Sequence, residues 1–446
     1  MKKDKDLFRE ELVQSPGRTA ALNFLKKKLS IVGIAVFLSI FALCFGLSFI
    51  MPIDLNYSDS ERQNLPPSYN YLSLPKALTD NAKAVDFGST FGAGIDRDGK
   101  FYMWGTMSDT VAKVKTDLPA DMKPLKLVAC GLDHIVAVAE DNTIYTWGNN
   151  RLNITTVNPG AVGKNIVAIQ AGYQSTLVLD DTGRLYFWGN ASMFSYKPDP
   201  ADQGHFTAFT LNIATAIALK DDKTVVCLSA TDSHFHRIPD RVQGRAVGLA
   251  STDKTAAALL DDGTVVTWGS FAAPAYTVPD EIQGRVVDID GGKTHYTVLL
   301  DDGSVYSWGE DMFSQASYPR VSNIARINTA YYQNAAIDPG GKVTVWGQKG
   351  YLMGTDAIGR DVLTRLVYGG RVTLTVGFIS VLISAVIGIV IGGLSGYFGG
   401  KVDMFLMRFA EVVSSIPQLP LMMILSAVLV SAISETMRVI MIMFIL

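Results

Sequence analysis

Gly291-Gly292-Lys293-Thr294-His295-Tyr296-Thr297-Val298-Leu299-Leu300-Asp301-Asp302-Gly303-Ser304-Val305-Tyr306-Ser307-Trp308-Gly309 decides the fold of this 446-residue chain. Residues 295–300 and 305–308 are β-branched and aromatic enough for strands. Asp302-Gly303 between them supplies the positive φ that a tight hairpin needs. The unit recurs. All six tryptophans, Trp104, Trp147, Trp188, Trp268, Trp308 and Trp346, precede a glycine, at spacings of 43, 41, 80, 40 and 38 residues. The double spacing holds a further unit in which Leu228 stands where a tryptophan is missing, so seven units are expected. Most open on a turn proline (Pro75, Pro119, Pro159, Pro239, Pro279, Pro319) ahead of a short apolar strand such as Val286-Val287-Asp288-Ile289. Four-stranded blades repeated radially over 74–349 give an all-β, seven-bladed propeller.

Composition sets this body in an apolar frame. Mean hydropathy is +0.21 and 48% of residues are hydrophobic, too apolar for a wholly soluble chain. Net charge is −3, so no basic surplus points to nucleic acid. Cys44, Cys130 and Cys227 have no metal-type spacing, and a disulfide between repeats two and four is not expected.

Residues 1–28 carry Lys2, Lys3, Lys5, Arg9, Arg18, Lys26, Lys27 and Lys28 and form an expected cytoplasmic N-terminal segment, ahead of 23 uncharged residues over 29–51. As a helix those 23 residues reach about 34 Å, enough to cross a hydrocarbon core of about 30 Å. A cleavable signal peptide fits less well, because the apolar run is long and no small-x-small site follows it. The basic cluster puts the N-terminus in the cytoplasm and the repeats outside. A polar linker is expected over 52–73. Beyond the repeats, 372–398 lacks charge and carries Gly388, Gly392 and Gly396 at helix-packing spacing. Further expectations are a cytoplasmic loop over 399–411, a third span over 412–430 kinked at Pro417 and Pro420, an external loop over 431–438, and a fourth helix beginning at 439 and cut short at 446.

Two resemblances follow from particular residues. The pattern of Gly291-Gly292-Lys293-Thr294-His295, Leu299, Asp302-Gly303, Val305-Tyr306 and Trp308-Gly309 looks like the RCC1-type repeat, a family of seven-bladed propellers. Repeat four lacks its Trp-Gly and repeat three a clear Pro-x-x-Val opening, so both are expected to be irregular. Gly354-Thr355-Asp356-Ala357-Ile358-Gly359-Arg360-Asp361-Val362-Leu363-Thr364-Arg365-Leu366-Val367-Tyr368-Gly369-Gly370-Arg371 resembles the GTDxxGRDVLxRLxYGxR segment of permease subunits of oligopeptide, dipeptide and nickel ABC importers, in particular their C-type half. Gly396-Tyr397-Phe398-Gly399-Gly400-Lys401-Val402-Asp403 and Met407-Arg408 through Ile416-Pro417 continue the likeness.

The permease resemblance implies a truncated all-α polytopic region of a multi-domain membrane protein, with the propeller inserted in its first extracytoplasmic loop. It implies as partners a second permease subunit, two ATP-binding subunits and an extracytoplasmic substrate-binding protein. The family's EAA motif, which docks on the ATPase, does not occur in this sequence. Arg360, Arg365 and Arg371 with Asp356 and Asp361 could line the mouth of a translocation path, but an interfacial helix over 350–371, salt-bridged and touching lipid phosphate, is the expected reading. His234 and His236 read as a surface loop rather than a metal site. The tryptophans, repeated at one place in every blade, read as packing. The sequence shows no nucleophile–base–orienter set and no phosphate-cradling loop, so no catalysis and no cofactor is expected of the chain itself. The expected function is a peptide-type importer permease in the bacterial plasma membrane whose propeller binds a partner or ligand. A membrane-anchored binding module with a non-transporting permease remnant is the alternative.

Overall fold

The computed structural model describes residues 23–51, 53, 57–59, 62–67, 71–105, 113–115, 117–190, 195–213 and 215–429. Most of the basic cluster (Lys2 to Arg18), the expected external loop and the start of a fourth helix fall outside them. The chain forms two compact units, one over Tyr57–Asp361 and one made of Met1–Asn56 with Val362–Leu446.

The first unit is all β. Seven antiparallel sheets follow one another, each a meander of three strands. Their first strands are Ala82–Phe87, Leu125–Cys130, Ile166–Ala171, Phe206–Leu211, Ala246–Ser251, Val286–Gly291 and Arg326–Ala330. Each neighbours the next, and the seventh returns to the first, so the ring is closed and propeller-like. Three strands per sheet replace the four expected. The outer connections are 3-10 turns such as Pro159–Ala161 and Pro200–Asp202, where proline offers no N–H and the turn closes its own hydrogen bonds instead of a ladder.

The core lies in the seams. Among the described residues each pair of adjacent sheets shares one buried apolar cluster, including the closing pair, where Leu78, Val85 and Phe87 meet Ala335, Ile337 and Val343. Each tryptophan packs back into the seam with the preceding sheet. Leu228, 1% exposed, fills that place between sheets three and four, and the strand before it shrinks to Val225–Cys227. Sheet three, expected to be irregular, is regular, with Asn158 accepting from the Gly160 N–H to open its turn.

The second unit is helical. Helix α1 (Lys28–Leu47) and helix α2 (Val362–Phe398) are each long and apolar enough to cross a membrane. Their side chains are mostly exposed, as lipid-facing surfaces would be. α1 packs on the start of α2, where the Tyr368 hydroxyl donates to the carbonyls of Ser48 (3.0 Å) and Met51 (3.1 Å). No described atom lies within 4 Å of a Cβ added at Gly388, Gly392 or Gly396, so the small-residue stripe packs on nothing described. Helices α3 (Gly400–Ser414) and α4 (Gln418–Leu429) follow. The structure thus differs from the expected loop over 399–411 and single span over 412–430. The chain is helical from residue 400 and breaks at Ser415-Ile416-Pro417, because a proline disfavours helical backbone at the residue before it.

Candidate functional site

The permease-like motif is not an interfacial helix over its whole length. Residues 354–361 are a tight loop of the β unit, and only from Val362 does the chain become helical, carrying Arg365, Tyr368, Gly369 and Arg371 on α2. Asp356 organises the loop. Its carboxylate accepts from the N–H groups of Ile358 and Arg360, both at 3.0 Å, and pairs with the Arg360 guanidinium at 2.7 Å. These hydrogen bonds hold the Asp356 carboxyl below its ordinary range against the desolvation that opposes them.

The loop closes on residues 59–65, nearly 300 positions earlier. Thr355 Oγ1 accepts from the Leu65 N–H at 2.8 Å and donates to the Arg62 carbonyl. The Thr355 N–H donates to Leu65 O at 3.1 Å, Asn64 N–H to Asp356 O at 3.0 Å and Asp59 N–H to Ile358 O at 3.0 Å. Gly354 (φ +73°) and Gly359 (φ +79°) are glycines for two reasons. Both lie in the left-handed region, and an added Cβ would stand 2.3 Å from Leu65 O and 1.9 Å from Asp59 O respectively. Gly354, Thr355, Asp356, Ile358, Gly359 and Arg360 thus each have a structural part in a neck that joins the chain entering the ring to the chain leaving it.

Arg62 fastens the neck to the ring, and sequence reading missed it inside a supposed polar linker. It is fully buried. Its guanidinium lies 4.3 Å from the centre of the Tyr332 ring, donates to Gln348 Oε1 and to the Tyr351 hydroxyl (3.0 Å), and stands 3.6 Å from Asp59. Asp59, 4% exposed, also pairs with Lys293 at 3.1 Å and accepts from the Tyr57 hydroxyl at 3.3 Å. A charge this deep is tolerable only where partners replace its water. Here a carboxylate, two polar side chains and an aromatic face do so in part, with Nη1 hydrogen-bonded while Nε and Nη2 have no hydrogen-bond partner.

Other polar residues serve the ring. His134 and His295 bond through Nε2 to Thr176 Oγ1 (3.1 Å) and Asn334 Oδ1 (2.8 Å), and burial pushes both imidazoles down to about 4, so they are neutral at pH 7. His236 bonds to Ser233 beside its own 3-10 turn and to the Ser229 carbonyl (2.9 Å). Trp104, Trp268, Trp308 and Trp346 donate their Nε1–H to the carbonyls of Tyr71, Phe235, Ala275 and Gln315, each in the connection leading into its own sheet.

Comparison with known proteins assigns both parts. Residues 126–153 and 286–315 match the family described as the Regulator of chromosome condensation (RCC1) repeat. The ring carries RCC1 repeats. Residues 15–67, which include α1 and the neck segment with Arg62, match the N-terminal TM domain of oligopeptide transport permease C. The chain is 42% identical over 83 residues to the dipeptide transport system permease protein DppC of Haemophilus influenzae, covering 19% of this chain and 28% of that protein. It is 52% identical over 67 residues to the oligopeptide transport system permease protein OppC of the same organism, covering 15% and 22%. It therefore spans about a quarter of the length of the curated relatives it matches. The ectodomain of the receptor kinase CR4 of Physcomitrella patens covers 61% of this chain and 74% of its own at 17% identity, with a TM-score of 0.47. Permease kinship and two apolar helices assign the chain to the membrane.

Proposed function

We propose that this chain is a permease subunit of a peptide-type ABC importer, contributing helices to the translocation path, with the RCC1-repeat ring as a docking body for a partner or ligand. The carrying observation is the neck. Residues 57–67, within the permease match, and 354–361, within the permease-like motif, close on each other through Thr355, Asp356 and Asp59. The ring is then an insertion between Leu65 and Gly354 that leaves the loop's own closure intact. The basic N-terminal segment favours a cytoplasmic N-terminus and an extracytoplasmic ring. ATP hydrolysis belongs to two separate ATP-binding subunits, which work with a second permease subunit and an extracytoplasmic substrate-binding protein, while lipid surrounds the exposed apolar faces of α1 and α2.

Affinity purification of the full chain from its native membrane in mild detergent tests this. A second permease and two ATP-binding proteins should co-purify in fixed ratio, and loss of the gene should abolish uptake of a labelled dipeptide. A chain recovered alone, with dipeptide uptake unchanged in its absence, would leave only a membrane-tethered RCC1-repeat module.

A further inference from the structure

The end of α2 fixes where α3 goes. No charge occurs between Arg371 and Lys401, and the part of that stretch within α2, residues 372–398, reaches about 40 Å as a helix. That crosses a hydrocarbon core of about 30 Å and enters the headgroup layer, so Lys401 is the first charge past a membrane span. Gly399 (φ +57°) and Gly400 (φ +53°) turn the chain in the left-handed region, and the Gly399 N–H closes α2 on Ser395 O at 2.9 Å. Ser395 Oγ donates to Asp403, which ties the first turn of α3 to the last turn of α2.

Between the two helices lies an open groove of about 430 Å³, lined by Leu394 and Phe398 of α2 and by Lys401, Val402, Phe405 and Leu406 of α3. Spacings of three and four residues put the apolar members on one face of each helix. They are uncovered, with Phe398 62% and Phe405 69% exposed. The cation is uncovered too. Asp403 is taken by Ser395 and Glu411 by Arg408 at 2.6 Å, whereas Lys401 has no hydrogen bond or ion pair with any described residue. An apolar trough with a free ammonium at its end is the complement of an anionic amphiphile, and its place at the end of a membrane-length helix names the source.

We propose that this groove binds one phospholipid of negatively charged headgroup, its phosphate on Lys401 and an acyl chain laid between Phe398 and Phe405. The site differs from the lipid that surrounds α1 and α2. Such lipid meets convex helix surfaces and is indifferent to headgroup, whereas here two helices make a concave wall and the ammonium selects charge. The volume lies within the range for ligand pockets, about 300 to 1,000 Å³. The inference rests on insertion of α2 in a membrane and not on the importer reading. In the orientation proposed above, this end of α2 meets the cytoplasmic leaflet, whose negative surface attracts basic residues next to a span.

The test is native mass spectrometry of the full chain released from neutral detergent micelles, titrated with phosphatidylglycerol or with phosphatidylcholine of the same acyl chains. One phosphatidylglycerol per chain is expected to bind saturably and to survive activation that strips phosphatidylcholine. Lys401→Gln should weaken it about fivefold, the factor corresponding to one lysine–headgroup contact of about 1 kcal/mol, and Lys401→Arg should restore it. Val402→Trp, which fills the groove, should abolish the bound lipid while helical circular dichroism is kept. In bilayers, the fluorescence of Phe405→Trp should be quenched more by phosphatidylglycerol brominated on its acyl chains than by phosphatidylcholine brominated in the same way. None of these readouts needs partner subunits, so they can fail while peptide uptake persists, and the reverse. Equal binding of the two lipids, an affinity unaltered by Lys401→Gln, or shielding of Phe405→Cys from maleimide by a co-purified subunit rather than by lipid would each overturn the proposal.

Discussion

Arg62 is fully buried and ties the neck to Tyr332, Gln348 and Tyr351. Removing one partner of a buried ion pair strands the other and costs about 3 to 5 kcal/mol. Arg62→Met should therefore destabilise the β unit by about that much, read as the shift in its denaturation midpoint, and should expose residues 57–65 to hydrogen exchange. Arg62→Lys should rescue little, since an ammonium has no planar face to lay on Tyr332 while its nitrogen serves Gln348 and Tyr351, which share Nη1 of Arg62. Asp290 governs a pH response. Its carboxyl is pushed up to about 8 in the fold against an ordinary value near 3.8, so the folded state holds a proton that the unfolded chain has lost between those values. Its contribution to stability is complete below pH 4 and is lost as pH rises through 8. Asp290→Asn should accordingly flatten the fall in thermal midpoint between pH 6 and pH 8 expected of the parent chain; an unchanged slope would remove Asp290 as the cause.

At the scale of elements, the neck loop and the seams divide the work. Gly359→Ala forces a Cβ against Asp59 O in a left-handed backbone, so it should open the pairing of 59–65 with 354–361 while the sheets keep their circular dichroism. Faster protease cutting between 57 and 67 is the readout. Trp308→Ala empties a seam between sheets five and six, and core truncations of this kind cost about 3 to 5 kcal/mol. Leu228 shows the same seam filled by a smaller side chain at the expense of strand length. The tryptophan spacing revealed these elements because every seam needs a large apolar plug at one register. The connections were harder to foresee: whether a proline-led segment pairs as a fourth strand or curls into a 3-10 turn depends on whether a neighbouring edge offers hydrogen bonds.

Across the whole molecule, closure of the ring brings distant chain together. The Tyr71 N–H donates to the Lys349 carbonyl, so the two ends of the insertion touch. Replacing residues 72–348 by a short Gly-Ser turn should therefore leave the chain membrane-inserted, though Arg62 loses Tyr332 and Gln348, and co-purification of partner subunits should persist if the importer reading holds. Capture of a substrate-binding protein should fall in the same variant, measured by pull-down from detergent extracts.

By itself the sequence determined the periodic and the apolar: seven repeats, because strand, hairpin and tryptophan recur at fixed spacing, and two membrane-length helices, because uncharged length is a local property. It also exposed Gly354 to Arg371 as a motif. Only the tertiary structure decided what the motif does, splitting it into a loop that grips residues 59–65 and a helix start. Only closure of the ring placed Arg62 among Tyr332, Gln348 and Tyr351, and Asp86 beside a cavity shared with Asp290. The physical reason is common to both. Burial and pairing of a charge depend on what the fold brings within a few ångströms, and these partners lie more than two hundred residues apart in the chain.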